Sequence, residues 1–198
     1  MKNKLDKIGE SYRVQYAKEE KKNLVRAYLE EAKWSYNKDM PRMEEYMKVA
    51  IVTSTYTMLP TTSLVGMENL VTKKDFDWIK SEPLLVLASS TICRLTDDLV
   101  GYGFEKKPTA VECYVNENGA SKEEAFVELE EQGTKTWKDM NQEHLRPTVP
   151  VSMTVPTRVL NFIRVAHLFY VEDDEYTDSK TNIKDIIHDM LVEPLVTV

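Results

Sequence analysis

Cysteine is nearly absent: the two residues Cys93 and Cys113 are too few for a disulfide framework, and no Asn-x-Ser/Thr acceptor occurs. A reducing, cytoplasmic setting is the expectation, with both thiols as ordinary buried side chains. Glycine is scarce as well, at 6 residues, which argues against a turn-rich β fold. No basic run has the length that tracks a phosphate backbone, and 33 acidic residues outnumber 26 basic ones for a net charge of −7, so no nucleic acid is expected as a partner. No segment approaches the roughly 18 uninterrupted apolar residues of a membrane span. The polar start Met1-Lys2-Asn3-Lys4-Leu5-Asp6 has no apolar stretch behind it, and no membrane partner is expected.

What the chain does contain is 42% hydrophobic residues over 198 positions, with abundant Glu, Lys, Leu, Met and Ala, and this composition predicts one all-α unit with a sizeable core. Apolar residues recur at three- and four-residue spacing from Ser11 to Lys38, the mark of one long amphipathic helix. Pro41 starts a second helix with Tyr46, Val49 and Ala50 on its apolar face. It runs into Thr53-Ser54-Thr55-Tyr56-Thr57-Met58-Leu59-Pro60, where Pro60 is expected to kink or interrupt it and so free backbone carbonyls. Thr72 and Asp75 cap a short helix, and Pro83 opens one that is apolar or small on every side from Leu84 to Cys93 and belongs in the centre of the molecule. Further helices are predicted from Thr109 to Glu117, from a capping box at Ser121 and Glu124 through to Leu145, and from Thr157 to Tyr170. An acidic loop, Glu172 to Asp178, precedes a last helix with Ile183, Ile186, Ile187, Met190 and Leu191 on one face.

Chemistry concentrates at the end of the central helix, in Arg94-Leu95-Thr96-Asp97-Asp98-Leu99-Val100-Gly101-Tyr102-Gly103-Phe104-Glu105. At about 100° per residue, positions four and eight apart stay on one face, so Asp97, Gly101 and Glu105 are expected to line up with Arg94 beside them. Two carboxylates with a guanidinium next to them suit a hard cation whose remaining ligands are phosphate oxygens. The alternative is a solvated acidic helix end, and spacing alone does not decide between the two. An arginine and an aspartate that continue a buried face nevertheless need partners or a ligand.

The string Ile92-Cys93-Arg94-Leu95-Thr96-Asp97-Asp98-Leu99, followed by Glu105, resembles the second metal motif of plant class I terpene synthases, written Asn/Asp-Asp-x-x-Ser/Thr-x-x-x-Glu. Val14-Gln15-Tyr16-Ala17-Lys18-Glu19, Glu31-Ala32-Lys33-Trp34, Thr61-Thr62-Ser63, Gly66-Met67, Glu112-Cys113-Tyr114, Trp137-Lys138-Asp139 and Leu145-Arg146-Pro147 are similar to strings of the plant sesquiterpene synthases, so the resemblance covers nearly the whole chain. It implies part of the class I terpenoid synthase helical bundle, with residues 1–198 as a C-terminal fragment of the metal-binding catalytic domain. It also implies Mg²⁺, or Mn²⁺ in its place, and a prenyl diphosphate substrate: farnesyl diphosphate giving a sesquiterpene, with geranyl diphosphate the nearest alternative. By the same resemblance Asp97 and Glu105 ligate one metal ion, Arg94 contacts the diphosphate, and Asp98 supports this shell from behind. Thr53, Ser54 and Thr55 direct carbonyl dipoles at the substrate cation while Tyr56 lines the pocket. Tyr170 adds a cation–π contribution, and Asp174 stands for the acidic residue of the closing loop. For each of these pocket residues a core aromatic or a helix-capping hydroxyl is the competing reading.

Three departures from the family are visible. Gly101 stands where the pattern has Ser or Thr, so a water has to replace the middle ligand. The stretch from Glu105 to Glu112 is about one helical turn short, which removes basic residues that Lys106 and Lys107 replace only in part. The Asp-Asp-x-x-Asp motif is nowhere in the chain, because Asp97-Asp98 and Asp173-Asp174 both lack the third aspartate. The isolated chain is therefore expected to be catalytically weak or silent, with the family's N-terminal helices as its missing partner. A non-catalytic helical fragment that keeps the fold is the second reading.

Overall fold

The computed structural model describes residues 11–104, 106–146, 152–170, 174–177 and 182–192. Among them every regular element is helical. Helix α1 (Tyr12–Asn37) buries Ala17, Ala27 and Glu31 on one face and stops at Lys38, whose φ of 61° turns the chain and lets its N–H bond back to the Trp34 carbonyl. After Pro41 come α2 (Met43–Thr53) and the short α3 (Met58–Leu64). The interruption falls at Ser54–Thr57, ahead of Pro60 rather than at it. Thr55 adopts a φ of 70°, and Pro60 lies in the first turn of α3, where its missing N–H costs no helical hydrogen bond.

Thr72 and Asp75 form the reciprocal cap of α4 (Lys73–Lys80), and Pro83 precedes α5 (Leu84–Val100). Helix α6 (Ala110–Asn118) is boxed by Thr109 and Glu112 and ends on Gly119 at φ 61°, as the Asn-Gly pair predicts. Ser121 and Glu124 box α7 (Lys122–Leu145). Helix α8 (Thr154–Phe169) begins three residues before Thr157, taking Pro156 into its first turn. Helix α9 (Asn182–Leu191) buries Ile183, yet Ile187, Met190 and Leu191 of the expected apolar face are exposed.

Helix α5 is the axis, packing most extensively on α7 and then on α8. Its first half joins Phe76, Leu64, Met140, Val159 and Ile163 in one apolar cluster. Leu95 belongs to a second, with Tyr46, Ala50, Val111, Cys113 and Leu129. A helix buried all round should carry no charge, so the polar residues at the end of α5 need an explanation. No helix among the described residues is long and apolar enough to cross a membrane.

Candidate functional site

Three charged side chains on the last turns of α5 form one cluster. Arg94 Nη1 lies 2.9 Å from Asp97 Oδ2 and 2.9 Å from Asp98 Oδ1, the separations that side chains three and four residues apart on a helix can reach. Burial opposes the charge on Arg94, but the carboxylates of Asp98 and Asp97, with Glu31 further off, hold its proton far more firmly than usual. The two aspartates are not equivalent. Asp98 is sealed, and its second oxygen accepts hydrogen bonds from the Tyr46 hydroxyl at 2.6 Å and the Ala110 N–H at 2.9 Å. Burial pushes its carboxyl up, against the opposing pull of Arg94 and these two donors. Asp97 retains 13% of its side-chain exposure, and its Oδ1 accepts from the Tyr170 hydroxyl at 2.9 Å. Burial, with Asp97 beside it, raises the Tyr170 phenol well above its ordinary value, so that hydroxyl stays a donor.

The cluster does not face bulk solvent: Arg94 keeps only 6% of its side-chain exposure. Its Nε is buried without a partner among the described residues, an orphan of the kind that an oxygen-rich ligand satisfies. No group of three or more His, Cys, Asp and Glu side chains among the described residues is placed to hold a metal ion. Asp97 suits a hard cation in chemistry, but its remaining ligands have to be phosphate oxygens or groups outside the described residues. Glu105, the second expected ligand, lies outside them. Helix α5 ends at Val100, Gly101 is its cap, and Gly103 at φ 85° turns the chain.

The break between α2 and α3 is more occupied than the sequence suggests. The Thr53 carbonyl accepts from the Tyr28 hydroxyl at 3.3 Å and the Thr55 carbonyl from the Leu59 N–H at 2.9 Å. The Ser54 hydroxyl turns back to the Ile51 carbonyl at 2.7 Å. The Thr53 hydroxyl donates to Glu31, whose other oxygen lies 3.4 Å from Lys107 Nζ. Buried Glu31 thus ties α1 to both the break and the segment after α5. Sequence reasoning gave it no role, and its one signal was a place four residues after Ala27 on the buried face of α1.

Tyr56 is 4% exposed, stands edge-on to Phe162, and donates to the Phe162 carbonyl at 3.0 Å. It is core and pocket neighbour at once, since Phe162 also lines an open groove along α8 with Thr157, Asn161 and Val165. Asp174 caps its own turn, accepting from the N–H groups of Tyr176 at 3.0 Å and Thr177 at 3.2 Å. That turn brings the Tyr176 ring to 4.1 Å from Phe169 and 5.6 Å from Tyr170. Asp97 is therefore in direct contact with both Arg94 and Tyr170, Tyr56 stands near Cys93 of α5, and among the described residues no hydrogen bond joins Ser54 or Thr55 to the cluster.

Residues 1–139 match the model described as terpene synthase family, metal binding domain. The chain is 58% identical over 191 residues to a beta-caryophyllene synthase of Phyla dulcis, a match covering 96% of this chain and 34% of that protein. It is 52% identical over 196 residues to a (-)-germacrene D synthase of Origanum vulgare, covering 98% and 35%. Isoprene synthase from grey poplar (Populus x canescens), solved in complex with three Mg²⁺ ions and dimethylallyl-S-thiolodiphosphate, superposes with a TM-score of 0.73 at 26% identity, over 85% of this chain and 32% of that one. The chain spans about a third of the length of the curated relatives it matches, 34% and 35% of these two.

Proposed function

The chain belongs to the terpene synthase family, and from that premise we propose that the Arg94–Asp97 cluster is the diphosphate-facing part of a Mg²⁺-dependent lyase site that ionises a prenyl diphosphate. Farnesyl diphosphate is the proposed substrate and a sesquiterpene the product, because the similar caryophyllene and germacrene D synthases are named for sesquiterpenes; geranyl diphosphate is the nearest alternative. The observation that carries the reading is the buried guanidinium, with one N–H unpartnered among the described residues, held between two carboxylates that differ in exposure.

In this reading Asp97 supplies a metal ligand and Glu105 a second, with Mn²⁺ able to replace Mg²⁺. The metal contributes Lewis-acid stabilisation of the charge that builds on departing diphosphate. Arg94 binds the same oxygens by charge-assisted hydrogen bonds. Tyr170 orients Asp97, Tyr56 and Tyr176 supply apolar, π-rich wall, and the Asp174 turn places Tyr176 there. The Ser54 carbonyl is the dipole of the break best able to face a cation, since those of Thr53 and Thr55 already accept hydrogen bonds. We assign the protein to the cytoplasm within the same proposal, on its two free buried thiols.

A second reading has its own support: the chain lacks Asp-Asp-x-x-Asp, and no described cluster holds a metal unaided. The isolated chain is then a weak or silent fragment that needs the family's N-terminal helices in trans. Two measurements separate the readings. Mg²⁺ and inorganic diphosphate together are expected to raise the melting temperature more than the sum of either alone, and additivity overturns the site. Incubation with Mg²⁺ and farnesyl diphosphate, followed by volatile extraction, is expected to give little product, and efficient turnover overturns the fragment reading.

A further inference from the structure

We propose that Tyr46, on α2, is a positioning residue for Arg94, acting through Asp98; this rests on the reading of Arg94 as the diphosphate contact. Tyr46 is 1% exposed, with its ring tilted against Trp34 at 6.3 Å between centroids and its hydroxyl 2.6 Å from Asp98 Oδ2. The same oxygen accepts the N–H of Ala110, the first residue of α6, at 2.9 Å. With Arg94 Nη1 on the other oxygen, donors from α2, α5 and α6 fix the carboxylate plane, and a planar carboxylate has no freedom left to follow a moving guanidinium.

The consequence lies in the contrast with Asp97. That residue shares Arg94 too, but it is the proposed metal ligand, and a carboxylate oxygen that turns to a cation loosens its hold on a neighbouring guanidinium. Asp98 takes no part in ligation and is anchored from behind, so it is the group that keeps Arg94 in place when Asp97 is engaged. The Asp98–Ala110 bond also joins the two ends of the connection between α5 and α6, which contains position 105. One phenol therefore braces both the diphosphate contact and the base of that connection.

Tyr46→Phe removes the hydroxyl and keeps the ring. Trp34→Phe serves as the control that trims the packing and keeps the hydroxyl. In the full chain, the Arg94 Nε–H resonance, assigned by its loss in Arg94→Lys, is expected to exchange faster with water in Tyr46→Phe and to be unchanged in Trp34→Phe. Calorimetric binding of inorganic diphosphate with Mg²⁺ is expected to weaken about tenfold in Tyr46→Phe alone, the scale of one charge-assisted hydrogen bond. An Arg94 signal that is unaltered in Tyr46→Phe, or shifted equally by Trp34→Phe, reduces Tyr46 to a packing residue and overturns the proposal. If the unmodified chain binds no Mg²⁺-diphosphate, the functional reading falls, and the Arg94 resonance alone still decides whether Tyr46 positions that side chain.

Discussion

Replacing Asp98 by asparagine, and separately Asp97 by asparagine, tests whether two neighbouring acids on one helix do different work. The Asp98 side chain is fully sealed and surrounded by donors: Arg94 Nη1 on one oxygen, Tyr46 and the Ala110 N–H on the other. An asparagine amide must turn its NH₂ toward one side. Facing Arg94, it sets donor against donor and strips a buried cation of a counter-charge; facing Ala110, it leaves a buried N–H unmet, although the Tyr46 hydroxyl can rotate to accept. Breaking a buried ion pair on one side costs about 3–5 kcal/mol, and for a chain of this size each kcal/mol lowers the melting temperature by about 2–4 °C. Asp97, at 13% side-chain exposure, keeps access to water, and the Tyr170 hydroxyl can follow an amide. Its substitution is expected to cost about 1 kcal/mol. Urea unfolding followed by circular dichroism gives both numbers, while calorimetry with Mg²⁺ and diphosphate is expected to lose the signal for Asp97→Asn. Equal destabilisation by the two substitutions refutes the division of labour.

Three further outcomes follow from the same contacts. Tyr56→Phe leaves the part-buried Phe162 carbonyl without its 3.0 Å side-chain donor and is expected to cost about 1 kcal/mol in urea titration; no loss removes that bond from the account. Glu31→Gln weakens the tie from α1 to Lys107 and is expected to cost about 1 kcal/mol, with hydrogen exchange rising at the Thr53 break. Burial pushes the Cys93 and Cys113 thiols from 9.0 to about 12, so the folded state binds protons that the unfolded chain releases. The stability this contributes is complete below pH 9 and is lost between about pH 9 and 12, and a disulfide reagent at pH 8 is expected to label both thiols only after denaturation.

Much of the helical scaffold was legible because its punctuation is local. The pairs Thr72–Asp75 and Ser121–Glu124 make the boxes their spacing announces, and Asn118-Gly119 ends a helix where a left-handed residue is required. The break falls within the Thr53–Pro60 stretch as expected, but Pro60 itself fits the first turn of α3, and it is Thr55 that takes the left-handed conformation. Arg94, Asp97 and Asp98 could be named from spacing on a buried helix, and the resemblance set Asp98 behind Asp97, but spacing does not supply the physical cause of the difference between the two acids. It arises from Tyr46, 52 residues before Asp98, and from the amide of Ala110, 12 residues after it. Long-range donors of this sort leave no trace in periodicity.

Gly101 stands at the end of the central helix rather than within it. In place of a hydroxyl it supplies the cap of α5, and Gly103 at φ 85° then turns the chain. In the proposed metal site Asp97 is fixed on α5, and the connection after that helix is closed at its base by the bond from the Ala110 N–H to Asp98. Ligand geometry within about half an ångström is what such chemistry demands. Substituting Gly101 by serine is therefore expected to add a hydroxyl at the end of α5 without extending the helix.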